Sequence, residues 1–192
     1  MNLTTEQSRK FLHVAGGFMC LLFPGCFTSH WWVLGLTAVA FIILLITYKR
    51  KLLPQVHETK RSSVGSVLFP IPIYACFLIA ELQQDDLFFY LPVSLLAISD
   101  TAAETGGALW GDRSIKFFNG QKTLAGSFCF LVTAILVSIG WLYIGFHLPL
   151  ADAILAGLAI SIAATIAELL TLHGWDNLSI PAVTILLLQL MI

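Results

Sequence analysis

The amino-acid sequence predicts an all-α polytopic membrane protein of about seven transmembrane helices, with a cytoplasmic amino terminus. The composition, the spacing of apolar stretches and the distribution of basic residues support this prediction. Of the 192 residues, 58% are hydrophobic and 11% are charged, and the mean hydropathy is +0.88. A soluble domain of this size could not bury so much apolar surface in one core, so lipid must surround most of the chain.

Apolar stretches of membrane-spanning length follow one another along the whole chain. Crossing a hydrocarbon core of about 30 Å takes roughly 20 apolar residues, which leaves room for short connecting loops only. The sequence contains no internal repeat and no domain linker. We therefore expect a single integral membrane domain over residues 1–192. The expected spans are 11–27, 31–48, 64–80, 87–110, 124–146, 150–172 and 178–192.

The basic residues define an orientation. All ten Lys and Arg residues precede the first expected span, follow the second or follow the fourth. The loops on the other side, such as ELQQDD at 81–86, contain none. Because Lys and Arg accumulate in cytoplasmic loops, we expect the amino terminus in the cytoplasm and the carboxyl terminus outside. The pattern favours a bacterial cytoplasmic (inner) membrane, with the chemistry facing the cytoplasm.

The fourth span contains two carboxylates at membrane depth, Asp100 and Glu104. Counted from Leu87 at 1.5 Å per residue, Asp100 lies about 20 Å along the helix. The two acids share one helix face, and an acid at the membrane centre costs about 3 kcal/mol unless it is paired, hydrated or bound to metal. This indicates a functional site opposite a cation. The alternative is a structural ion pair with Arg113 or Lys116.

A second cluster lies between the fourth and fifth spans. Lys122 stands beside Thr123 and near Ser127, just before a helix whose first N–H groups favour phosphate. The alternative for Lys122 is a snorkelling anchor at the membrane interface. The glycines nearby let a ligand approach the backbone, although they would also serve helix packing. The other members of this candidate phosphate site are Arg9, Lys10, Gly107, Gly111, Arg113, Lys116 and Gly126.

A third cluster closes the sixth span. Glu168 extends a ladder of small residues at i+4 steps, which indicates a buried and functional carboxylate. Asp176 and Asn177 follow in the next cytoplasmic turn. For this pair the alternative is a cap of the last helix.

These segments resemble the CTP-dependent lipid-alcohol kinase family, which includes dolichol kinase, phytol kinase and fungal diacylglycerol kinase and is related to phosphatidate cytidylyltransferase. The KT-x-x-GS element downstream of the D-x-x-A-x-x-x-G pattern is the most specific part. The resemblance implies a cytoplasm-facing site for CTP and a divalent cation, with a lipid alcohol entering from the bilayer. The matching segments are RKFLH (9–13), RSSVGS (61–66), ISDTAAETGGALWG (98–111), KTLAGS (122–127) and DNLSIP (176–181).

The implied reaction transfers the terminal phosphoryl group of CTP to the hydroxyl of a membrane lipid, which is a polyprenol, a dolichol-like or phytol-like alcohol, or diacylglycerol. Glu104 or Glu168 would accept the alcohol proton. The implied partners are CTP, the lipid and the bilayer, without nucleic acid; a homo-oligomer is compatible with the sequence. Mg²⁺ or another divalent cation would be held by Asp100, Asp112 and Asp176, and phosphates would be bound by Arg9, Lys10, Arg113, Lys116, Lys122 and Asn177.

Two other functions use the same features. In a cytidylyltransferase of the phosphatidate type, a lipid phosphate attacks CTP and pyrophosphate leaves, with the same metal and phosphate ligands. A non-enzymatic transporter would also place acids inside the membrane. The collection of acids and cations at one face argues against the transporter.

Overall fold

The structure, a computed structural model, describes residues 5–53, 56, 64–111, 114–117 and 120–191, with side chains for 12–53, 56, 64–111 and 122–191. These residues are helical apart from one short hairpin and the connecting turns, which confirms the all-α prediction. The helices are α1 (Thr5–Cys20), α2 (Phe23–Cys26), α3 (His30–Lys49), α4 (Gly65–Leu68), α5 (Pro70–Gln83), α6 (Leu87–Ser94), α7 (Asp100–Trp110), α8 (Leu124–Ile139), α9 (Leu150–Leu170) and α10 (Asp176–Met191).

Five helical stretches of the described chain are long and apolar enough to cross a membrane. The expected first and last spans are also helical, but α1 and α10 have 16 residues each. Helices of that length extend about 24 Å, less than a typical hydrocarbon core. The count of seven spans and the side of the amino terminus therefore stay predictions. The five stretches are His30–Lys49, Gly65–Gln83, Leu87–Trp110, Leu124–Gly145 and Leu150–Leu170.

Two features of the fold were not predicted. Strands β1 (Ser114–Phe117) and β2 (Gly120–Thr123) form an antiparallel hairpin, in which Ser114 pairs with Thr123. The hairpin brings the chain back to the end of α7 before α8 begins. The second feature is the π-helical segment Leu95–Ser99, which joins α6 to α7. It follows Pro92, which lacks an N–H group and disturbs the regular helical hydrogen bonding, so the helix continues here as a wider turn.

The core lies between α6, the π-helical segment, α8, α9 and α10. Phe89, Leu95, Phe130 and Ile160 are fully buried there. Helix α3 lies at the periphery, since only Val33 and Thr37 of its residues are buried. The many exposed Leu, Ile and Phe side chains of the outer helices are suited to contact with lipid.

The helices alternate in direction, so two ends of the bundle can be distinguished. At one end, Oε2 of Glu81 accepts a hydrogen bond of 2.6 Å from the backbone N–H of His30, which ties the end of α5 to the start of α3. The other end carries Lys49 at the end of α3 and Lys122 before α8. The polar clusters predicted from sequence gather at this second end.

Candidate functional site

Lys122 is the centre of the candidate site. It is the third residue of β2, and Thr123 ends that strand by capping α8: the Thr123 hydroxyl accepts from the backbone N–H of Gly126 at 3.1 Å. The Lys122 ammonium donates to Oε1 of Glu168 and, at 3.2 Å, to Oδ2 of Asp176. The hairpin and the cap therefore direct one lysine toward the ends of two other helices.

Glu168 lies in the last turn of α9 and is only 3% exposed. Its second oxygen, Oε2, accepts a hydrogen bond of 3.3 Å from the hydroxyl of Ser127 in the first turn of α8. A buried carboxylate is stable only when it is paired and hydrogen-bonded. Lys122 supplies the ion pair and Ser127 supplies the hydrogen bond. Both contacts join the end of α9 to the start of α8.

Asp100 begins α7, directly after the π-helical segment, and about a quarter of its side chain is exposed. Its Oδ2 lies 3.8 Å from Nε2 of His13 in α1, and the same His13 nitrogen lies 3.4 Å from the backbone oxygen of Leu96. Glu104 follows one turn later on α7 and is partly exposed. The two acids are thus at the same end of the bundle as Lys122.

Three carboxylates act on the Lys122 ammonium. Burial by itself would lower the pKa of Lys122, but the negative charges of Asp176, Glu168 and Asp100, together with the hydrogen bond to Glu168, outweigh it and raise the pKa above its ordinary value of 10.5. Lys122 is therefore an ammonium group at physiological pH. Lys122 is thus a cation on which the charge of the intramembrane acid Asp100 acts.

The glycines of this region let α7 and α8 approach closely. A Cβ atom on Gly126 would lie 2.8 Å from the backbone oxygen of Ala103, and one on Gly107 would lie 2.6 Å from the Thr123 hydroxyl. Gly106 and Gly111 are equally confined, against Cys129 and Thr123. The contacts agree with the packing role that the sequence left open. Their effect is to pack the helix that carries Asp100 closely against the helix that follows Lys122.

Asn177 takes part in a pair of hydrogen bonds that joins the start of α10 to the start of α4. Its amide nitrogen donates to the backbone oxygen of Gly65 at 2.7 Å, and the residue is 5% exposed. Beside it, the backbone N–H of Val64 donates to the oxygen of His173 at 2.9 Å. The left-handed backbone of His173 and Gly174 makes the tight turn that leads into α10. These two hydrogen bonds fix the position of Asp176 relative to α4.

Some predicted site residues lie outside the described residues or side chains. Asp112 and Arg113 lie outside the described residues, and the side chains of Arg9, Lys10 and Lys116 are not among those described. Of the described His, Cys, Asp and Glu side chains, no group of three lies close enough together to hold a metal ion. The metal site of Asp100, Asp112 and Asp176 therefore stays a prediction. The predicted residues that the structure does bring together are Asp100, Lys122, Thr123, Ser127, Glu168 and Asp176.

His13 is the site residue that the sequence reasoning missed. The five histidines are scattered along the chain, so their spacing does not single out His13. His13 nevertheless belongs to the RKFLH segment that carries part of the family resemblance, and this segment was the available signal. Its ring also packs edge-to-face on Phe69, with the ring centroids 5.2 Å apart.

Comparison with known proteins adds a relative. The chain is similar to the phytol kinase of Synechocystis sp., with 24% identity over 185 residues that cover 92% of this chain and 75% of the relative. The name of this relative agrees with the family that the motifs resemble, and the apolar helices of the described chain agree with an integral membrane protein. No family model matches the chain, and no solved structure does.

Proposed function

We propose that this protein transfers the terminal phosphoryl group of CTP to the hydroxyl of a membrane lipid alcohol. The hydroxyl oxygen bonds to the γ-phosphorus as the bond to the bridging oxygen breaks, and the products are lipid phosphate, CDP and a proton. The observation that carries the proposal is the cluster of Lys122, Glu168 and Asp176, with Asp100 beside it, at one end of a lipid-facing bundle. Phosphoryl transfer depends on such positioned charges more than on covalent chemistry.

The cation for the phosphates is Lys122. Its side chain is 18% exposed, and its ammonium is held by the carboxylates of Glu168 and Asp176. Thr123 and Ser127 add hydroxyl groups at the start of α8. An ammonium and the N-terminal N–H groups of a helix both favour an anion. Further positive charge would come from Arg9, Lys10, Arg113 and Lys116, whose segments the sequence predicts on the same cytoplasmic side.

A divalent cation would be held by carboxylates of this site together with the CTP phosphates. Asp100 and Asp176 both act on the Lys122 ammonium, so their carboxylates converge on one region, with hard oxygen ligands. Mg²⁺ in nucleotide sites is commonly held by one or two carboxylates together with the phosphates. Asp100 and Asp176, with Asp112, would hold it here, and it would neutralise charge on the transferred phosphoryl group.

The acceptor is proposed to be an isoprenoid alcohol of the phytol type. The support is the phytol kinase of Synechocystis sp. as a relative, together with the apolar surface that surrounds the bundle. A long hydrocarbon chain would remain in the bilayer while its hydroxyl reaches the acids at the end of α7. Other polyprenols and diacylglycerol are the acceptors to compare with it.

The experiment is a transfer assay with CTP labelled at the γ-phosphate, Mg²⁺ and a panel of lipid alcohols in detergent micelles. The expected result is labelled lipid phosphate with release of CDP, fastest for phytol. Label in pyrophosphate, with a lipid phosphate as co-substrate, would show the cytidylyltransferase instead. If the folded protein does not bind CTP, both CTP-dependent functions are excluded and the transporter is the remaining hypothesis. Asp100→Asn serves as the control for contaminating kinases.

A further inference from the structure

We propose that Glu168 positions the Lys122 ammonium for the CTP phosphates and does not accept the alcohol proton. The proposal rests on the kinase function proposed above. From sequence, Glu104 and Glu168 were equal candidates for the base. The geometry separates them, because the contacts of Glu168 serve another role.

Both carboxylate oxygens of Glu168 are engaged. Oε1 accepts from the Lys122 ammonium, and Oε2 accepts from the Ser127 hydroxyl at 3.3 Å. A general base must reach the proton that it removes, directly or through one water. Glu168 is 3% exposed and points both oxygens at residues of its own protein, so an incoming hydroxyl would first have to displace one of them.

Asp176 holds the same ammonium from a different helix. Its Oδ2 accepts from Lys122 at 3.2 Å, and its Oδ1 accepts from the backbone N–H of Asn177 at 3.1 Å. The Asn177 side chain is in turn bonded to Gly65. The ammonium is therefore held between the end of α9 and the start of α10, with each carboxylate fixed by a second hydrogen bond.

This arrangement leaves one N–H donor of Lys122. A lysine ammonium has three N–H groups, and the described side chains use two of them, one for Glu168 and one for Asp176. Because the two carboxylates set the direction of the remaining donor, Lys122 is prepared for a phosphate oxygen at little further entropic cost. Glu168 thus acts on catalysis through Lys122.

The first test is Glu168→Gln in the transfer assay. Gln keeps the volume and can still accept from Lys122, but it lacks the charge. If Glu168 is a positioning residue, the substitution should raise the KM for CTP about tenfold and leave kcat within about threefold. The reason is that it weakens binding that is common to the ground state and the transition state. A kcat lowered by roughly a hundredfold or more at unchanged KM, which is the loss expected for a general base, would overturn the proposal.

The second test uses the residue that holds Glu168. Ser127→Ala removes the hydroxyl that fixes Oε2, so it should raise the KM for CTP in the same direction, and the double variant should be no worse than Glu168→Gln alone. If the effects of the two substitutions on the KM for CTP add in the double variant, Ser127 does not act through Glu168 and the proposal is wrong. Ser161→Ala in α9 is the matched control, because that hydroxyl is buried in the same helix and bonds to Ser138 and to the Gly157 backbone, away from Lys122. It should leave the KM for CTP unchanged.

A third readout separates this proposal from the kinase function. If the unaltered protein does not transfer label from CTP, the proposed kinase function is wrong. The contact between Glu168 and the Lys122 ammonium can still be tested by the reactivity of Lys122. Acetylation of Lys122 by an N-hydroxysuccinimide ester, followed by mass spectrometry, should be several-fold faster in Glu168→Gln and unchanged in Ser161→Ala. Equal rates in the unaltered protein and Glu168→Gln would overturn the positioning role. If Glu168→Gln does not fold, the KM for CTP, kcat and the acetylation rate of Lys122 are measured on Ser127→Ala instead.

Discussion

The ammonium nitrogen of Lys122 lies 3.2 Å from Oδ2 of Asp176, although 54 residues separate them in the chain. One residue belongs to a short strand before α8, and the other begins the last helix. The contact brings the ends of three helices together around one positive charge. It also shows that the KTLAGS and DNLSIP segments, which are independent in the sequence, belong to one site.

Lys122→Gln should weaken CTP binding. Loss of one charge-assisted contact is worth about 1.5–3 kcal/mol, or roughly ten- to a hundredfold in affinity. The variant also leaves Glu168 and Asp176 without their cation, so its thermal stability should fall. Equilibrium CTP binding and thermal unfolding in detergent measure the two effects.

The control for this variant is Lys49→Gln, since Lys49 is an exposed lysine at the end of α3 on the same side of the bundle. It should change neither quantity by much. If Lys122→Gln binds CTP as the unaltered protein does, Lys122 is a structural cation or a membrane anchor, and the phosphate-site interpretation of KTLAGS is wrong.

Asp100→Asn should abolish most of the transfer activity while the protein stays folded. Asn keeps the shape of the side chain and removes the charge that would hold the metal, so the rate should fall by two orders of magnitude or more. The measurement is the transfer rate over a magnesium titration, with thermal unfolding as the check on folding. A rate near that of the unaltered protein across the titration would exclude Asp100 as a metal ligand.

Gly126→Ala should destabilise the protein by about 1–3 kcal/mol, because the new methyl group would meet the backbone oxygen of Ala103 at 2.8 Å. Backbone cannot move aside as a flexible side chain does, so α7 and α8 must separate. Lys122 would then move away from Asp100, and activity should fall with stability. Gly140→Ala, after the end of the same helix, is the control, since a Cβ there meets nothing within 4 Å. Equal unfolding temperatures for the two variants would contradict the close helix contact.

The orientation prediction concerns the two short terminal helices. If α1 and α10 both cross the membrane, the amino terminus is cytoplasmic and the carboxyl terminus is outside, so a carboxyl-terminal alkaline phosphatase fusion should be active. A second fusion at Gln84, in the acidic loop after α5, should be active as well. If the carboxyl-terminal fusion is active only with a cytoplasmic reporter, while the fusion at Gln84 behaves as expected, the number of spans is wrong by one.

The sequence alone determined the membrane environment, the all-α class and the segments that carry the chemistry. Hydropathy and charge are local properties, and a span is read from about twenty consecutive residues. The anomaly of Asp100 inside an apolar run could be found in the same way, because the cost of an acid in lipid does not depend on which partner it finds.

The tertiary structure decided which partner each charged residue has. The sequence offered Arg113 and Lys116 to Asp100 as structural partners and indicated that Glu168 is a buried, functional carboxylate without identifying its partner. The close approach of α7 to α8 and the hydrogen bonds of Lys122 could not be predicted from spacing. His13 was missed for the same reason, since its contact with Asp100 spans two helices that are far apart in the chain. Local patterns determine which segments enter the membrane, whereas the pairing of side chains depends on helix packing, where a glycine sets the distance and a single hydrogen bond sets the direction of a charge.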